Sequence, residues 1–248
     1  MNLYLAFDSN VLQEKAKELA VKLKLDIFKD YSSKYNPEYE DDYFLVCSAE
    51  RIFLQKGLKK TSKPIYSNFD DWIDNYDDRL LRRTLKGLPN NFSCLDLTAG
   101  FGKDAFEIAK SERCLSLVLI EKEKWVFNIL KDGLKKVNDS KAIQLLSKIR
   151  VHNLDNLEYL NNNNNDFDLI YIDPMFTGVY KSKAKKHMQA LRDLSSSEND
   201  KNLLKNSIER ANHRVVVKRH KNMEYLEGIK PSTSIEGKVV RFDLYNLK

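Results

Sequence analysis

The run Cys94-Leu95-Asp96-Leu97-Thr98 is an apolar strand pattern carrying an acid at its end, and it continues as Ala99-Gly100-Phe101-Gly102-Lys103-Asp104-Ala105. A strand, a turn through glycines and the start of a helix make a cradle for a nucleotide-type cofactor. Glycine has no Cβ and reaches positive φ, so backbone at Gly100 and Gly102 can approach a ligand closely. A second apolar run, Asp168-Leu169-Ile170-Tyr171-Ile172, delivers Asp173, Pro174, Met175 and Phe176 to its carboxyl end. There the Asp173 carboxylate and the Pro174 carbonyl can accept the two N–H bonds of an amine, while Phe176 stacks on a planar base.

The glycines alone do not choose the cofactor. The spacing Gly100-x-Gly102-x-x-Ala105 also satisfies the relaxed dinucleotide fingerprint, and Glu121 ends the next strand where an acid would grip an NAD ribose. Asp96 favours S-adenosylmethionine, because a carboxylate before the glycines attracts the sulfonium and ammonium of a methyl donor, where a dinucleotide fold wants apolar packing. Asp173 favours it as well. An exocyclic base nitrogen is a poor nucleophile, its lone pair being delocalised into the ring, and it must pyramidalise before attacking a methyl carbon. The methylated amine is acidic enough for an ordinary Asp, reference pKa about 3.9, to take its proton directly or through water. In this reading Glu121 accepts the ribose hydroxyls, Gly100 and Gly102 line the methionine end, and Lys103 and Asp104 border it. Asp155 either faces the adenine amino group or caps a helix before Leu157.

These residues need a sheet to hold them. Alternating apolar and amphipathic runs predict strands at 93–98, 115–120, 149–153, 167–172 and 214–218, with helices at 103–111, 123–137 and about 200–211. A closing hairpin is expected from 233–235 and 239–246, turning at Glu236-Gly237. The fold class is therefore α/β: a Rossmann-like class I methyltransferase with a mostly parallel seven-stranded sheet and a terminal antiparallel hairpin, over residues 91–248. Residues 1–90, with a strand at 3–7, a helix at about 9–23 and tyrosine-rich acidic segments, read as a small α+β region that could position substrate. The turn-rich Gly87-Leu88-Pro89-Asn90-Asn91 marks the boundary. The asparagine tract at 161–165 reads as a solvated loop.

Composition bounds the setting. A chain of 248 residues can bury a full α/β core, and a net charge of +6 is compatible with a polyanionic partner. Three scattered cysteines form no CxxC pair and read as buried thiols in a reducing compartment. Four histidines carry no metal-ligand spacing, so no metal is expected. No apolar stretch approaches the roughly 18 residues of a membrane span, and a cytoplasmic location is expected. Two basic segments, Lys181, Lys183, Lys185 and Lys186 after the amine motif and Lys218 and Arg219 at the end of the fifth strand, belong at the carboxyl edge of the sheet. That convergence points to a nucleic-acid backbone.

Asp173-Pro174-Met175-Phe176 resembles the Asn/Asp-Pro-Pro-Tyr/Phe signature of enzymes that methylate amino groups of nucleobases or of glutamine. More specifically, residues 93–248 resemble the bacterial small-subunit (16S) ribosomal RNA guanine-N2 methyltransferases of the RsmJ type. The match runs through Asp96 to Phe106, Leu119-Ile120-Glu121-Lys122, Asp173 to Phe176, Val215-Val216-Val217-Lys218-Arg219 and Arg241-Phe242-Asp243-Leu244-Tyr245. The resemblance implies cofactor contacts at Lys103, Asp104, Glu121, Lys122, Leu154, Asp155 and Asp173. It also implies 16S RNA or the small ribosomal subunit as partner, and N2-methylguanosine near the 3′ end of that RNA as product. The family's glycine-rich basic stretch before the cradle is replaced by acidic, aromatic Phe69-Asp70-Asp71-Trp72-Ile73-Asp74-Asn75-Tyr76, with Arg79, Arg82 and Arg83 following. Lys103 stands where the family often has Arg. The alternatives are DNA adenine or protein glutamine methylation, an NAD-dependent oxidoreductase, and a non-catalytic RNA-binding module.

Overall fold

The computed structural model describes residues 1–29, 31, 36–58, 62–163, 165–174, 186–194 and 201–247. Its strands in chain order are β1 (Leu3–Phe7), β2 (Tyr43–Cys47), β3 (Ile52–Lys56), β4 (Phe92–Asp96), β5 (Cys114–Ile120), β6 (Ile149–His152), β7 (Phe167–Ile172), β8 (Ala211–His220), β9 (Thr233–Glu236) and β10 (Val240–Asn246). Its helices are α1 (Gln13–Leu23), α2 (Phe69–Asn75), α3 (Arg79–Thr84), α4 (Lys103–Ala109), α5 (Lys124–Lys135), α6 (Ser140–Leu146), α7 (Asn156–Asn162), α8 (Lys186–Leu194) and α9 (Leu203–Arg210). They fall into two compact units.

The first unit comprises the described residues within Met1–Asn68, Glu123–Lys136 and Thr177–Ser197. Its sheet has the order β1-β2-β3, with β1 parallel to β2 and β2 antiparallel to β3. All five residues of β2 are buried, as a central strand of apolar residues requires. One face is sealed by an aromatic cluster in which the Phe28 ring lies 4.9 Å from Tyr39 and 5.0 Å from Phe44, edge to face. Helix α1 is built from strong helix formers, buries Ala16 and Ala20, and ends where Lys24 turns left-handed. Helix α5 is tied to β3 by Asp132, which accepts a 2.7 Å bond from the Ile52 amide.

The second unit holds the remaining strands in the order β6-β5-β4-β7-β8-β10-β9. Strands β4 to β8 pair in parallel, and β10 runs antiparallel to both β8 and β9. Its core gathers Leu95, Ile120, Ile170, Val215 and Tyr245 from the strands with Leu160, Leu203 and Leu204 from α7 and α9. Burial on both faces of a parallel sheet is what turns these strands into continuous apolar runs. The connections leave β4 toward β5 on one side and return to β7 on the other, so a crevice opens at the carboxyl ends of β4 and β7, the place where such sheets bind ligands.

The seven-stranded sheet and its terminal hairpin match the expectation from sequence. Differences at the ends have local causes. The helix expected from residue 9 opens as a 3-10 turn at Asn10–Leu12 before α1 starts. Strand β8 is longer than expected, because pairing with β7 carries its start back to Ala211 and pairing with β10 carries its end to His220. The asparagine tract is partly helical, with Asn161 and Asn162 completing α7. Strands β2 and β3 and helix α6 were not anticipated. Helices α2 and α3 lie with the second unit, and Asn91, at φ +60°, turns the chain into β4. The three cysteines are buried and free. Among the described residues no helix is long and apolar enough to cross a membrane, and no group of three or more His, Cys, Asp or Glu could hold a metal ion.

Candidate active site

Asp96 ends β4 and is 1% exposed. Its Oδ1 accepts from the Thr98 amide at 2.9 Å and the Thr98 hydroxyl at 3.3 Å. Burial pushes its pKa up to about 8, with Asp104 and Asp173 adding to the rise and the Thr98 bonds opposing it. The Thr98 hydroxyl also accepts from the Asp173 amide at 2.7 Å. One side chain therefore joins the end of β4 to the backbone that leaves β7.

The turn that follows has both glycines left-handed, Gly100 at φ +54° and Gly102 at φ +84°. Gly102 is the N-cap of α4, and Lys103 and Asp104 form that helix's first turn. The Gly100 amide donates to Glu121 Oε2 at 2.8 Å, and Glu121, 8% exposed, follows the end of β5. Asn153 supports that corner by donating to the carbonyls of Glu121 at 2.8 Å and Lys122 at 3.1 Å. Leu154 is 38% exposed beside it. Asp155 caps α7, its Oδ1 accepting from the amides of Leu157 at 2.9 Å and Glu158 at 3.1 Å.

A network of polar side chains connects the cradle to the amine motif. Asp104 Oδ2 accepts from Tyr171 at 2.7 Å and Lys218 at 2.5 Å, while Tyr76 donates to its Oδ1 at 3.2 Å. Lys218 Nζ also sits 2.9 Å from Asp173 Oδ2. Burial alone would raise Asp104, but the Lys218 ammonium and the bonds from Lys218, Tyr171 and Tyr76 outweigh it and hold the carboxyl below its ordinary value. Asp173 goes the other way. Burial and the neighbouring Asp104 charge raise it more than Lys218 lowers it. Lys218 is lifted well above the ordinary lysine value, since its two carboxylates more than compensate for burial. The Lys103 ammonium lies 4.0 Å from the centre of the Tyr76 ring, a cation–π contact that fixes the start of α4 against the segment after α2.

Asp96, Gly100, Gly102, Asp104, Glu121 and Asp173 thus converge at the carboxyl ends of β4, β5 and β7, with Lys103 beside them. Pro174 follows Asp173. Phe176, Lys181, Lys183 and Lys185 lie outside the described residues, and Lys186 opens α8. Lys218 is engaged by two carboxylates, and Arg219, 8% exposed, donates to the Glu224 carbonyl at 2.9 and 3.2 Å. Sequence reasoning assigned no role to Thr98, Tyr76, Tyr171 or Asn153. Tyr171 carried a usable signal, because the two-residue period of a strand puts it on the same face as Asp173.

The donor set suits a cationic methyl donor. Three acidic side chains, Asp96, Asp104 and Asp173, lie beside a turn whose backbone a ligand can approach, and the Lys218 ammonium pairs with only two of them, so Asp96 is left to ionise against an arriving cation. Glu121 stands one strand away, where a ribose would reach it.

The model of the family "Putative SAM-dependent methyltransferase" matches residues 31–247. A ribosomal RNA small subunit methyltransferase J from Francisella philomiragia subsp. philomiragia is 39% identical over 163 residues, which is 64% of this chain and 67% of the relative. Its namesake from Francisella tularensis subsp. holarctica is 31% identical over 254 residues, covering 95% of this chain and 100% of the relative. A solved SAM-dependent methyltransferase from Neisseria gonorrhoeae shares the fold at a TM-score of 0.65, covering 99% of this chain and 96% of its own at 22% identity.

Fold and family together define an S-adenosylmethionine-dependent methyltransferase of class I. Within that class, the chain belongs to the ribosomal RNA small subunit methyltransferase J family.

Proposed function

We propose that this enzyme methylates the exocyclic N2 of a guanine near the 3′ end of 16S ribosomal RNA, producing N2-methylguanosine in the cytoplasm. The observation that carries this reading is the placement of Asp173 and Pro174 at the carboxyl end of β7, beside the Gly100–Gly102 turn, in a chain aligned along 95% of its length with a relative named as a small-subunit ribosomal RNA methyltransferase. S-adenosylmethionine, when bound, supplies an electrophilic methyl carbon on positively charged sulfur. Gly100 and Gly102 would admit its methionine end, Lys103, Asp104 and Lys122 would border it, and Asp96 would balance its positive charge. Glu121 would take the ribose hydroxyls. Leu154 and Asp155 are assigned to the adenine side, Asp155 through the carboxylate that also caps α7.

Asp173 and Pro174 act on the amine. The carboxylate and the carbonyl accept its two N–H bonds, which turns the nitrogen lone pair out of conjugation and toward the methyl carbon. Bound S-adenosylmethionine would supply the methyl carbon to that lone pair and would retain the C–S electron pair on sulfur as the leaving group. The proton then leaves nitrogen for Asp173 or water. Phe176 would stack on the guanine, worth on the order of 1 to 3 kcal/mol. Lys181, Lys183, Lys185 and Lys186 are assigned to RNA phosphates, and residues 1–90 to positioning the substrate.

The test is transfer of labelled methyl to small ribosomal subunits and to naked 16S RNA that lack the modification, followed by nucleoside analysis. Label in N2-methylguanosine is expected. Label in another nucleoside would overturn the target atom, and label only in DNA or protein amide would overturn the substrate.

A further inference from the structure

We propose that Lys218 is a positioning residue for methyl transfer: its ammonium, bridged between Asp104 and Asp173, aims the Asp173 carboxylate at the substrate amine and keeps it ready to accept a proton. This rests on the reading of Asp173 as the amine acceptor. It differs from the role expected of Lys218 from sequence, a contact to RNA phosphate.

The geometry favours a strut. Lys218 leaves β8 two residues before its carboxyl end, next to Val217, which pairs with Ile172 of β7, and is itself paired on the other side with Phe242 of β10. Its root is therefore as rigid as the sheet. Its Nζ is 2.5 Å from Asp104 Oδ2 and 2.9 Å from Asp173 Oδ2, and its side chain is only 19% exposed. Asp104 is itself anchored by Tyr171 and Tyr76, so the ammonium is held from behind. Asp173 is held at its backbone by Thr98. The pairing uses Oδ2 of Asp173 and assigns Oδ1 to the amine. An ammonium spent on two carboxylates in a partly desolvated corner is poorly suited to bind phosphate, because a third anion would have to displace one of them.

Charge gives the strut its chemical meaning. Facing Asp173 are the acids Asp104 on α4 and Asp96 at the end of β4, the phenol Tyr171 on β7, and the cations Lys218 and Arg219 on β8, while Tyr76 after α2 faces Asp104 and Lys218. With Lys218 removed, burial and two neighbouring carboxylates push Asp173 toward its protonated form. A protonated carboxyl cannot take up the proton the amine must lose. The acid limb of the rate profile must then move to higher pH, whereas loss of a phosphate contact would leave it in place.

The experiment compares Lys218→Met and Lys218→Arg with the wild-type full chain in single-turnover transfer to 16S RNA. Lys218→Met is expected to slow transfer about 100-fold and move the acid limb upward. RNA affinity and its salt dependence are expected to stay unchanged. Lys218→Arg keeps the charge and should recover part of the rate and the wild-type limb. Carboxyl carbon NMR of aspartate-labelled protein without RNA gives an activity-independent readout. The Asp173 signal, identified by its absence in Asp173→Asn, should titrate higher in Lys218→Met. If Lys218→Met does not fold, Lys218→Gln carries the same comparison. Weaker RNA binding with a log–log salt slope reduced by about 0.7 to 0.9, and an unmoved Asp173 titration, would overturn the proposal. Should the wild-type protein leave guanine N2 unlabelled, the substrate reading fails, while the NMR titration still decides the strut.

Discussion

Strands β4, β7 and β8 carry polar side chains at both of their ends, and the two ends balance charge in opposite ways. At the amino end, Asp168 is matched by donors from two strands. Its Oδ2 accepts from the Ser93 amide at 2.8 Å and the Ser93 hydroxyl at 3.0 Å, and its Oδ1 lies 3.6 Å from His213 Nε2. At the carboxyl end, Asp104 and Asp173 share the ammonium of Lys218 while Asp96 is bonded only through Thr98, and the three pKa values are driven apart. A satisfied carboxylate staples strands together. An excess of carboxylates in a half-buried crevice is costly to the free protein and is relieved when a cation arrives, which is how a binding site differs from a brace built of the same residue types.

Substitutions at the two ends should therefore part company. The largest effect is expected from Asp173→Ala, which should slow methyl transfer by about 100-fold or more while cofactor still binds; single-turnover assays beside calorimetric titration check both halves. A near-normal rate would erase the distinction between the two ends.

The excess charge next predicts a pH dependence. Asp96, raised to about 8 by burial, binds a proton more tightly in the folded protein than in the unfolded chain, so the free protein loses stability as pH rises from the ordinary carboxyl range toward 8. A cationic ligand favours the charged form. Affinity for S-adenosylmethionine should then rise over that same window, by at most about tenfold per pH unit, with a proton released on binding. Calorimetry in buffers of differing ionisation enthalpy measures that proton, and Asp96→Asn should abolish the release.

Glu121→Ala should weaken cofactor binding by about 1.5 to 3 kcal/mol, the value of charge-assisted bonds, with no change in RNA affinity. Unchanged cofactor affinity would remove Glu121 from the cradle. The smallest effect is assigned to the amino end. Asp168→Ala should lower stability by about 1 kcal/mol in denaturant titrations and leave turnover unchanged, because its partners brace strands and lie at the sheet edge away from the cradle. A loss of turnover there would break the comparison.

Much of this was legible in the chain. The apolar runs of β4, β5, β7 and β8, the two glycines before Lys103 and the Asp-Pro step after Ile172 each obey a rule that reaches only a few residues. The short strands β2 and β3 were masked by their acidic, tyrosine-rich surroundings, and α2 by its own acids, which sit in a first helical turn where the helix dipole welcomes them. The partners of Asp104 were not legible. Lys218 lies 114 residues away and Tyr171 lies 67 away, separations across which no local pattern operates.

By itself, the sequence determined the class of fold, the place of the cofactor turn and the arrival of a carboxylate and a proline at a strand end. Periodicity, backbone freedom and turn chemistry depend on near neighbours, and those are written in the chain. The tertiary structure alone decided which acids share a cation, which lysine faces inward, and which end of the sheet keeps surplus charge. Those outcomes depend on strand register bringing distant side chains within 3 Å of one another, where Coulomb energy and desolvation become large enough to set protonation.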